Sequence, residues 1–246
     1  MWVTLPRLNE PAPDFVAKTT AGELRLSDLK GKWVALFSHP ADFTPVCSTE
    51  FLAFARRQFE ELGVQLVGLS IDSIYSHLST RMQRLPHRPK PKWRAHGLFG
   101  APVVAQATTG YLAWLKDLEE MSGISINFPV IADLDMKVSR LYGMIHPAAS
   151  ETAAVRAVFI IDPNGILRGM LYYSPTTGRN IDEILRFIRA LQFTDRTGLN
   201  TPADWQPGDP AIVKPPATLD EVKADEARKA EYTEYKRWYL RLKKAE

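Results

Sequence analysis

A single cysteine marks the place in the sequence where covalent chemistry is most readily expected. Cys47 is the only cysteine among the 246 residues. The apolar run 33–37 precedes it and is typical of a buried strand, whereas residues 46–62 carry apolar side chains at spacings of three and four until Gly63. The pattern predicts a strand, a loop and a helix, with Cys47 in the first turn of that helix.

A helix N-terminus favours negative charge, because its first backbone N–H groups lack partners and the helix dipole is positive there. A free thiol with a pKa of about 8.5 is only a few per cent ionised at pH 7, and the thiolate is the reactive form. We expect the helix terminus and one nearby cation to favour the thiolate of Cys47, and Thr44, three residues earlier, to face the sulfur. The competing interpretation is that Cys47 is a small buried hydrophobic residue, the commonest role of a lone cysteine.

The segment around Cys47 also carries a family resemblance. In residues 37–50, FSHPADFTPVCSTE, the spacing of Pro40, Thr44 and Cys47 resembles the peroxidatic-cysteine motif of peroxiredoxins, and His39 resembles the one-Cys, peroxiredoxin 6-type subfamily. Segments similar to that subfamily follow in order at residues 67–73, 128–133, 155–162 and 178–185. The resemblance covers roughly residues 5–78 and 111–220.

The resemblance implies a thiol peroxidase in which Cys47 attacks a peroxide oxygen and becomes a sulfenic acid. It further implies that Thr44 orients the peroxide and that Arg156 is the active-site arginine. The residue pattern also supports a site role for Arg156, because a permanent cation at the start of an apolar strand needs an anionic partner unless it reaches solvent. The remaining candidates for substrate binding or for support of the site are Pro40, His39, Glu50 and Arg179.

The rest of the chain alternates between predicted strands and helices. Strands are predicted over 65–71 and 128–131, a helix over 112–121, and a hairpin of strands 155–161 and 167–173 across the turn 162–165. Asn180 with Glu183 predicts the start of a helix that ends near Leu191. The alternation indicates an α/β fold, and the resemblance narrows it to a thioredoxin-like fold with a C-terminal extension.

The composition changes after residue 192, which predicts a peroxidase domain over 1–192 and a C-terminal region over 193–246. Six proline and glycine residues between 202 and 216 predict an extended arm, and 218–221 is a capping-box pattern that starts a final helix. An apolar stripe is expected on that helix, formed by Tyr232, Tyr235, Tyr239 and Leu242. Since one-Cys peroxiredoxins cover the partner subunit with a C-terminal domain, the resemblance implies a homodimer or a ring of dimers.

A basic insertion at about 79–110 is where the sequence departs from the family pattern. It contains Arg81, Arg84, Arg88, Lys90, Lys92 and Arg94, with Trp93 among them and no acidic residue. Such a segment can bind nucleic acid or another anion, or it can be a solvated loop that packs locally or on a neighbouring subunit. The net charge of only +3 argues against nucleic acid as a partner. The irregular spacing of His77, His87 and His96 argues against a metal site, and no cofactor is expected.

With no second cysteine, the chain cannot resolve its own sulfenic acid, so an external thiol reductant is expected. Two alternatives to a peroxidase stay open: a peroxide sensor that oxidises a partner, and a chaperone-like holdase. A lipid-cleaving activity is set aside, because Lys32 stands where the relatives with that activity place a serine. The absence of a long apolar run and of a signal-peptide pattern predicts a cytoplasmic protein without a membrane partner.

Overall fold

The computed structural model describes residues 5–73, 76 and 114–245. The basic insertion 79–110 lies outside these residues, as do residues 112 and 113 of one predicted helix. The chain divides into two compact units, and each is described by itself. The first comprises Met1–Gln58 and Val64–Gly178, and the second comprises Phe59–Gly63 and Arg179–Glu246.

A seven-stranded sheet forms the centre of the first unit. Its strands are β1 (Val16–Thr19), β2 (Gly22–Arg25), β3 (Trp33–Ser38), β4 (Val64–Ser70), β5 (Val130–Ala132), β6 (Arg156–Ile161) and β7 (Leu167–Tyr173). They are arranged in the order β2-β1-β5-β4-β3-β6-β7. β3 is parallel to β4 and antiparallel to β6, and every residue of β3 is buried, as its apolar sequence predicts.

The pairing of β3 with β6 fixes the position of residues at the start of β6. Leu36 lies opposite Phe159 and Val34 opposite Ile161. These four side chains belong to one buried cluster that also contains Tyr142, whose ring packs edge-on against Phe159 at 4.9 Å. Because a register shift by one residue would turn the buried side chains of β6 to the other face of the sheet, this core specifies the register strongly.

The predicted hairpin is confirmed, and its turn is held by one aspartate. The carboxylate of Asp162 accepts hydrogen bonds from the backbone N–H groups of Asn164 (2.9 Å) and Ile166 (3.0 Å). Gly165 has a φ of 81°, which glycine adopts without steric cost. The turn chemistry therefore agrees with the sequence signal at 162–165.

Three helices of the first unit are described: α1 (Pro45–Arg56), α2 (Trp114–Ser122) and α3 (Lys137–Leu141). α1 begins where the sequence predicts, but its predicted extension to residue 62 is wrong. Arg57 has extended backbone angles, and a separate 3-10 turn, Glu60–Leu62, leads to Gly63. The apolar spacing continues across this break because Phe59 is buried without being part of the helix.

The second unit contains α4 (Ile181–Thr197), β8 (Ala211–Ile212), α5 (Leu219–Ala227), β9 (Glu234–Arg237) and β10 (Leu240–Lys243). The Asn180 side chain caps α4 as predicted, accepting from the N–H groups of Asp182 and Glu183. The predicted end near Leu191 is wrong, since α4 continues to Thr197 and is capped by Gly198. Phe193 explains the extra length, because its ring packs at 4.8 Å from the buried ring of Trp205.

Two predictions for the C-terminal region need correction. The predicted extended arm contains the short strand β8, and the predicted long final helix is short. The capping box at Thr218 is present, but the helix that it starts ends at Ala227. The residues of the expected stripe lie instead in and around the hairpin of β9 and β10, and β10 pairs with β8 through Leu242 and Ile212. Tyrosines spaced by three and four satisfy a helical pattern, but strand pairing decides the structure here. The boundary after residue 192 stays a prediction.

Within the described ranges, none of the helices has the length and apolar character that crossing a membrane requires.

Candidate active site

Cys47 lies in the first turn of α1, as the sequence predicts. Thr44 is the N-cap residue with extended backbone angles, and Pro45 occupies the first helical position. Proline fits that position because its missing N–H would have no helical partner there. The Cys47 side chain is fully buried, and its sulfur lies at the end of α1 where the helix dipole favours a negative charge.

Arg156, the first residue of β6, joins the thiol to a carboxylate. Its Nη1 donates to the Sγ of Cys47 at 3.3 Å and to the Oε2 of Glu50 at 2.6 Å. Its Nε donates to the backbone carbonyl of Pro175 at 3.0 Å. The guanidinium is thus held from two directions while one nitrogen contacts the sulfur, an arrangement that suits a planar donor group.

The ion pair of Arg156 and Glu50 is nearly dry, with only 3% and 2% of the two side chains exposed. Glu50 lies one turn after Cys47 on α1, so a single helix presents both the thiol and the partner of the cation. A hydrogen bond from a cation favours the ionised form of its acceptor. The arrangement can therefore stabilise a thiolate on Cys47 and, later, negative charge on an oxygen bound beside it.

The hydroxyl of Thr44 donates to the backbone carbonyl of Ala41 at 2.9 Å. Since its proton is used in that bond, the Thr44 oxygen can act toward a substrate as an acceptor. Pro40 is half-buried at the other end of the same loop. The expectation that the Thr44 hydroxyl faces the Cys47 sulfur stays a prediction.

His39 is held inside the protein rather than on a mobile loop. Its backbone N–H donates to the carbonyl of Leu69, and its Nε2 lies 2.9 Å from the Oδ1 of Asp42. Its ring lies 4.7 Å from the ring of Phe51 and 5.0 Å from that of Trp114. The buried partner Asp42 orients the imidazole, so His39 is a well-fixed neighbour of the Cys47 loop.

Asp42 and Asp72 are residues of this region that the sequence interpretation missed. Asp72 follows β4, and its Oδ2 accepts from the backbone N–H of Asp42 at 2.8 Å and from the hydroxyl of Ser70 at 2.9 Å. Ligand atoms of His39, Asp42 and Asp72 lie within 4.8 Å of one another, and all three side chains take part in these hydrogen bonds. An acid directly after a buried parallel strand was the available signal, because such strand ends carry functional loops.

Trp114, the first residue of α2, is a further neighbour that the sequence interpretation missed. Its indole N–H donates to the Ser48 hydroxyl at 3.1 Å, and that hydroxyl donates to the carbonyl of Thr44 at 2.8 Å. The Trp114 ring also packs at 4.5 Å from Phe51 of α1. Trp114 therefore supports the N-terminus of α1 through both its polar and its apolar part.

Of the seven candidates, the structure brings Cys47, Glu50 and Arg156 into direct contact. Pro40, His39 and Thr44 lie in the loop that leads to the same helix. Arg179 is buried and belongs to the second compact unit, so its proposed support of the site stays a prediction.

Two family models match the chain. That of the AhpC/TSA family matches residues 8–170, and that of the C-terminal domain of 1-Cys peroxiredoxin matches residues 190–229. A peroxiredoxin of Aquifex aeolicus is 45% identical over 98% of this chain and 98% of its own length. Peroxiredoxin 2 of Thermoplasma acidophilum is 46% identical over 96% of this chain and 100% of its own length.

Two solved structures of peroxiredoxins are also similar to this chain. The yeast mitochondrial 1-Cys peroxiredoxin, whose structure concerns thiol resolution via the glutathione/thioredoxin systems, has a TM-score of 0.75 and 35% identity, with coverage of 98% of this chain and 100% of that chain. A cysteine-to-serine mutant of peroxiredoxin 6 of Arenicola marina has a TM-score of 0.73 and 33% identity, with 97% of both chains covered.

The fold, the cysteine site and these matches define a thiol peroxidase with a thioredoxin-like fold and a C-terminal extension. The chain belongs to the AhpC/TSA family, and its single cysteine and its C-terminal match group it with the one-Cys peroxiredoxins. The predicted family, fold class and enzyme class are thereby confirmed.

Proposed function

We propose that Cys47 is the peroxidatic cysteine of this enzyme, and that hydrogen peroxide and organic hydroperoxides are its substrates. The observation that supports this assignment best is the 3.3 Å contact between the Arg156 guanidinium and the Cys47 sulfur. A buried cation beside the thiol favours the thiolate, and the thiolate is the nucleophile that peroxide reduction needs.

In the proposed reaction, the Cys47 thiolate attacks one oxygen of the hydroperoxide and the O–O bond breaks. The attacked oxygen stays on sulfur as a sulfenic acid, and the other oxygen leaves as hydroxide or alkoxide and takes up the proton that Cys47 released on ionisation, giving water or an alcohol. Thr44 would accept a hydrogen bond from the peroxide O–H, because its own proton is given to Ala41. Arg156 would stabilise the negative charge that develops on the leaving oxygen.

Regeneration of Cys47 requires two equivalents of an external thiol. The first condenses with the sulfenic acid to give a mixed disulfide and water, and the second attacks the sulfur of the first, forms a disulfide with it and releases the Cys47 thiol. Since Cys47 is 0% exposed, we expect the start of α1 to open before a thiol can reach the oxidised sulfur. Small and protein thiols are both candidates for the reductant.

Peroxide consumption by wild type and Cys47→Ser tests the assignment. Each protein is supplied with hydrogen peroxide or an organic hydroperoxide and, in parallel, with thioredoxin, glutathione or a small dithiol. The serine variant should be inactive but folded, because its hydroxyl is nearly isosteric and a far weaker nucleophile at neutral pH. Substantial activity in Cys47→Ser would overturn the assignment, whereas rapid oxidation without recycling by any reductant would favour the sensor alternative.

We further propose that the protein works as a homodimer or a ring of dimers, with the C-terminal unit on the neighbouring subunit. Leu219, Trp238 and Tyr239 support this proposal, because they leave 79%, 46% and 53% of their surface exposed. Trp238→Ser with Tyr239→Ser should weaken the assembly without disturbing strand pairing. Sedimentation would report the mass, and a wild-type monomer at micromolar concentration would contradict the proposal.

We place the enzyme in the cytoplasm, because its cycle consumes thiols and this compartment keeps thiols reduced. Cell fractionation with detection of the protein is the direct test.

A further inference from the structure

Asp72 holds the loop in front of α1 in position from outside that loop. One carboxylate oxygen, Oδ2, accepts from the backbone N–H of Asp42 at 2.8 Å and from the Ser70 hydroxyl at 2.9 Å. The backbone N–H of Asp72 in turn donates to the oxygen of that hydroxyl at 3.0 Å. Asp72 and Ser70 thus form a closed hydrogen-bonded unit at the end of β4, and this unit offers a fixed acceptor to the loop.

The loop is held at two places, one through Asp42 and the other through His39. The Asp42 N–H is bound by Asp72, while the Asp42 carboxylate lies 2.9 Å from the His39 ring. His39 is itself bound to Leu69 through its backbone N–H. The four-residue segment 39–42 is therefore attached at one end to β4 and at the other end to Asp72, which follows β4.

The residue after this segment needs such a restraint. Phe43 has a φ of 55°, in the left-handed region that aromatic residues rarely adopt, and its side chain is 49% exposed. A conformation of this kind is strained for a residue with a side chain, and it persists only where the surroundings impose it. Within the described part of the chain, the bond from Asp42 to Asp72 is a restraint directly next to Phe43.

Thr44 follows Phe43 and is the N-cap residue of α1. If Phe43 relaxed to an ordinary conformation, the Thr44 hydroxyl and Pro40 would move relative to Cys47. The sulfur itself would stay in place, because α1 begins after the loop and Arg156 contacts the sulfur from β6. The hydrogen bond from Asp42 to Asp72 thus controls where a peroxide binds more than it controls how reactive the thiol is.

We propose that Asp72 is a positioning residue for peroxide reduction, acting as a hydrogen-bond acceptor that holds Asp42 and the strained residue Phe43 so that Thr44 faces the substrate. This inference rests on the proposed role of Cys47. It predicts different effects on two reactions. Loss of Asp72 should slow the reaction with peroxide, and it should leave unchanged the reaction of the thiolate with a small electrophile that needs no orientation.

The experiment compares wild type with Asp72→Ala, Asp72→Asn and Ser70→Ala in the full-length protein. Asparagine keeps an acceptor oxygen and removes the charge, whereas alanine removes both. One assay measures the rate constant for oxidation by hydrogen peroxide in a single turnover, and the second measures alkylation of Cys47 by iodoacetamide. Thermal unfolding monitored by circular dichroism confirms that each variant is folded.

Asp72→Ala should lower the peroxide rate constant by about 10- to 100-fold, because small displacements of positioning groups have effects of this size. Asp72→Asn should stay within about three-fold of wild type, and alkylation should change by less than about three-fold in every variant, on the same scale of positioning effects. Ser70→Ala should show a smaller loss in the same direction, and it replaces Asp72→Ala as the test if the latter does not fold.

An undiminished peroxide rate in Asp72→Ala would overturn the proposal, as would an equal loss in Asp72→Asn, which would assign the effect to charge. A parallel loss of alkylation would also overturn it by indicating general damage to the site. The role of Cys47 is tested separately, because Cys47→Ser with retained activity refutes the peroxidatic assignment itself.

Discussion

Replacing Arg156 by methionine removes the one described cation that contacts the Cys47 sulfur. Methionine fills much of the space of the arginine stem, so the variant removes charge and hydrogen bonds without opening a large cavity. It also leaves Glu50 buried without the cation that lies 2.6 Å from its carboxylate. We expect a smaller thiolate population at Cys47 and slower peroxide reduction.

The size of the effect follows from the geometry of the contact. Two unit charges separated by the 3.3 Å between Nη1 and Sγ attract each other by about 5 kcal/mol at an effective dielectric constant of about 20. The Glu50 carboxylate on the same nitrogen offsets part of this attraction. A remainder of about 1.4–4 kcal/mol corresponds to a 10- to 1000-fold weaker preference for the thiolate. Where only a small fraction of the thiol is ionised, the rate should fall by the same factor of about 10 to 1000.

Peroxide consumption and the ultraviolet absorbance of the thiolate, both followed against pH, measure this effect. Arg168→Met is a matched control, because Arg168 pairs with Asp162 beside the turn at the far end of the β6–β7 hairpin and should leave activity unchanged. The double variant Arg156→Met/Glu50→Gln also removes the buried negative charge one turn after Cys47 on α1, and it should recover part of the lost rate. An unchanged rate together with an unchanged thiolate titration in Arg156→Met would refute the reasoning.

Three further predictions concern oxidation and stability. Graded excess peroxide should add one, then two, then three oxygens to Cys47 in intact-mass spectra, and a Cys47-linked dimer as the main product would contradict this. The bidentate hydrogen bond from Arg186 lowers the pKa of Glu183. The ion pair therefore stabilises the fold above the unfolded pKa of about 4.3, and this stabilisation is lost as the pH falls through the lower folded pKa. Glu183→Gln should therefore cost about 0.5 kcal/mol at pH 7 and nothing in strong acid, measured by thermal unfolding. Ser38→Ala should lower the free energy of unfolding by about 1–3 kcal/mol in denaturant titrations, because the buried hydroxyl donates to the carbonyl of Val155 and accepts from the N–H of Ala157 in β6. A change below about 0.5 kcal/mol would mean that those groups find other partners.

The local elements of the site were accessible from the sequence because their signals are local. The apolar spacing after Cys47 placed it in the first turn of α1, and Pro45 and Gly63 bracket the amphipathic pattern. Turn residues and the cap at Asn180 identified the hairpin and the start of α4. Each of these features depends on residues within a few positions of one another.

Features that depend on distant residues were missed or wrong. The bond from Asp42 to Asp72 joins residues separated by 30 positions and depends on the path of a loop that no periodicity describes. The C-terminal tyrosines have helical spacing, but β10 pairs with β8, and strand pairing overrides local preference. The contact of Arg156 with Cys47 was expected through the family resemblance, since spacing alone does not predict a neighbour across the sheet.

The separation of Cys47 and Arg156 by 109 positions in the chain has a consequence for biosynthesis and refolding. Their contact requires the antiparallel pairing of β3 with β6, a non-local step that forms late because closing a long loop is entropically costly. A nascent or partly folded chain therefore carries a cysteine that lacks its cation and remains comparatively inert toward peroxide. We therefore expect full reactivity toward peroxide only after this pairing has formed.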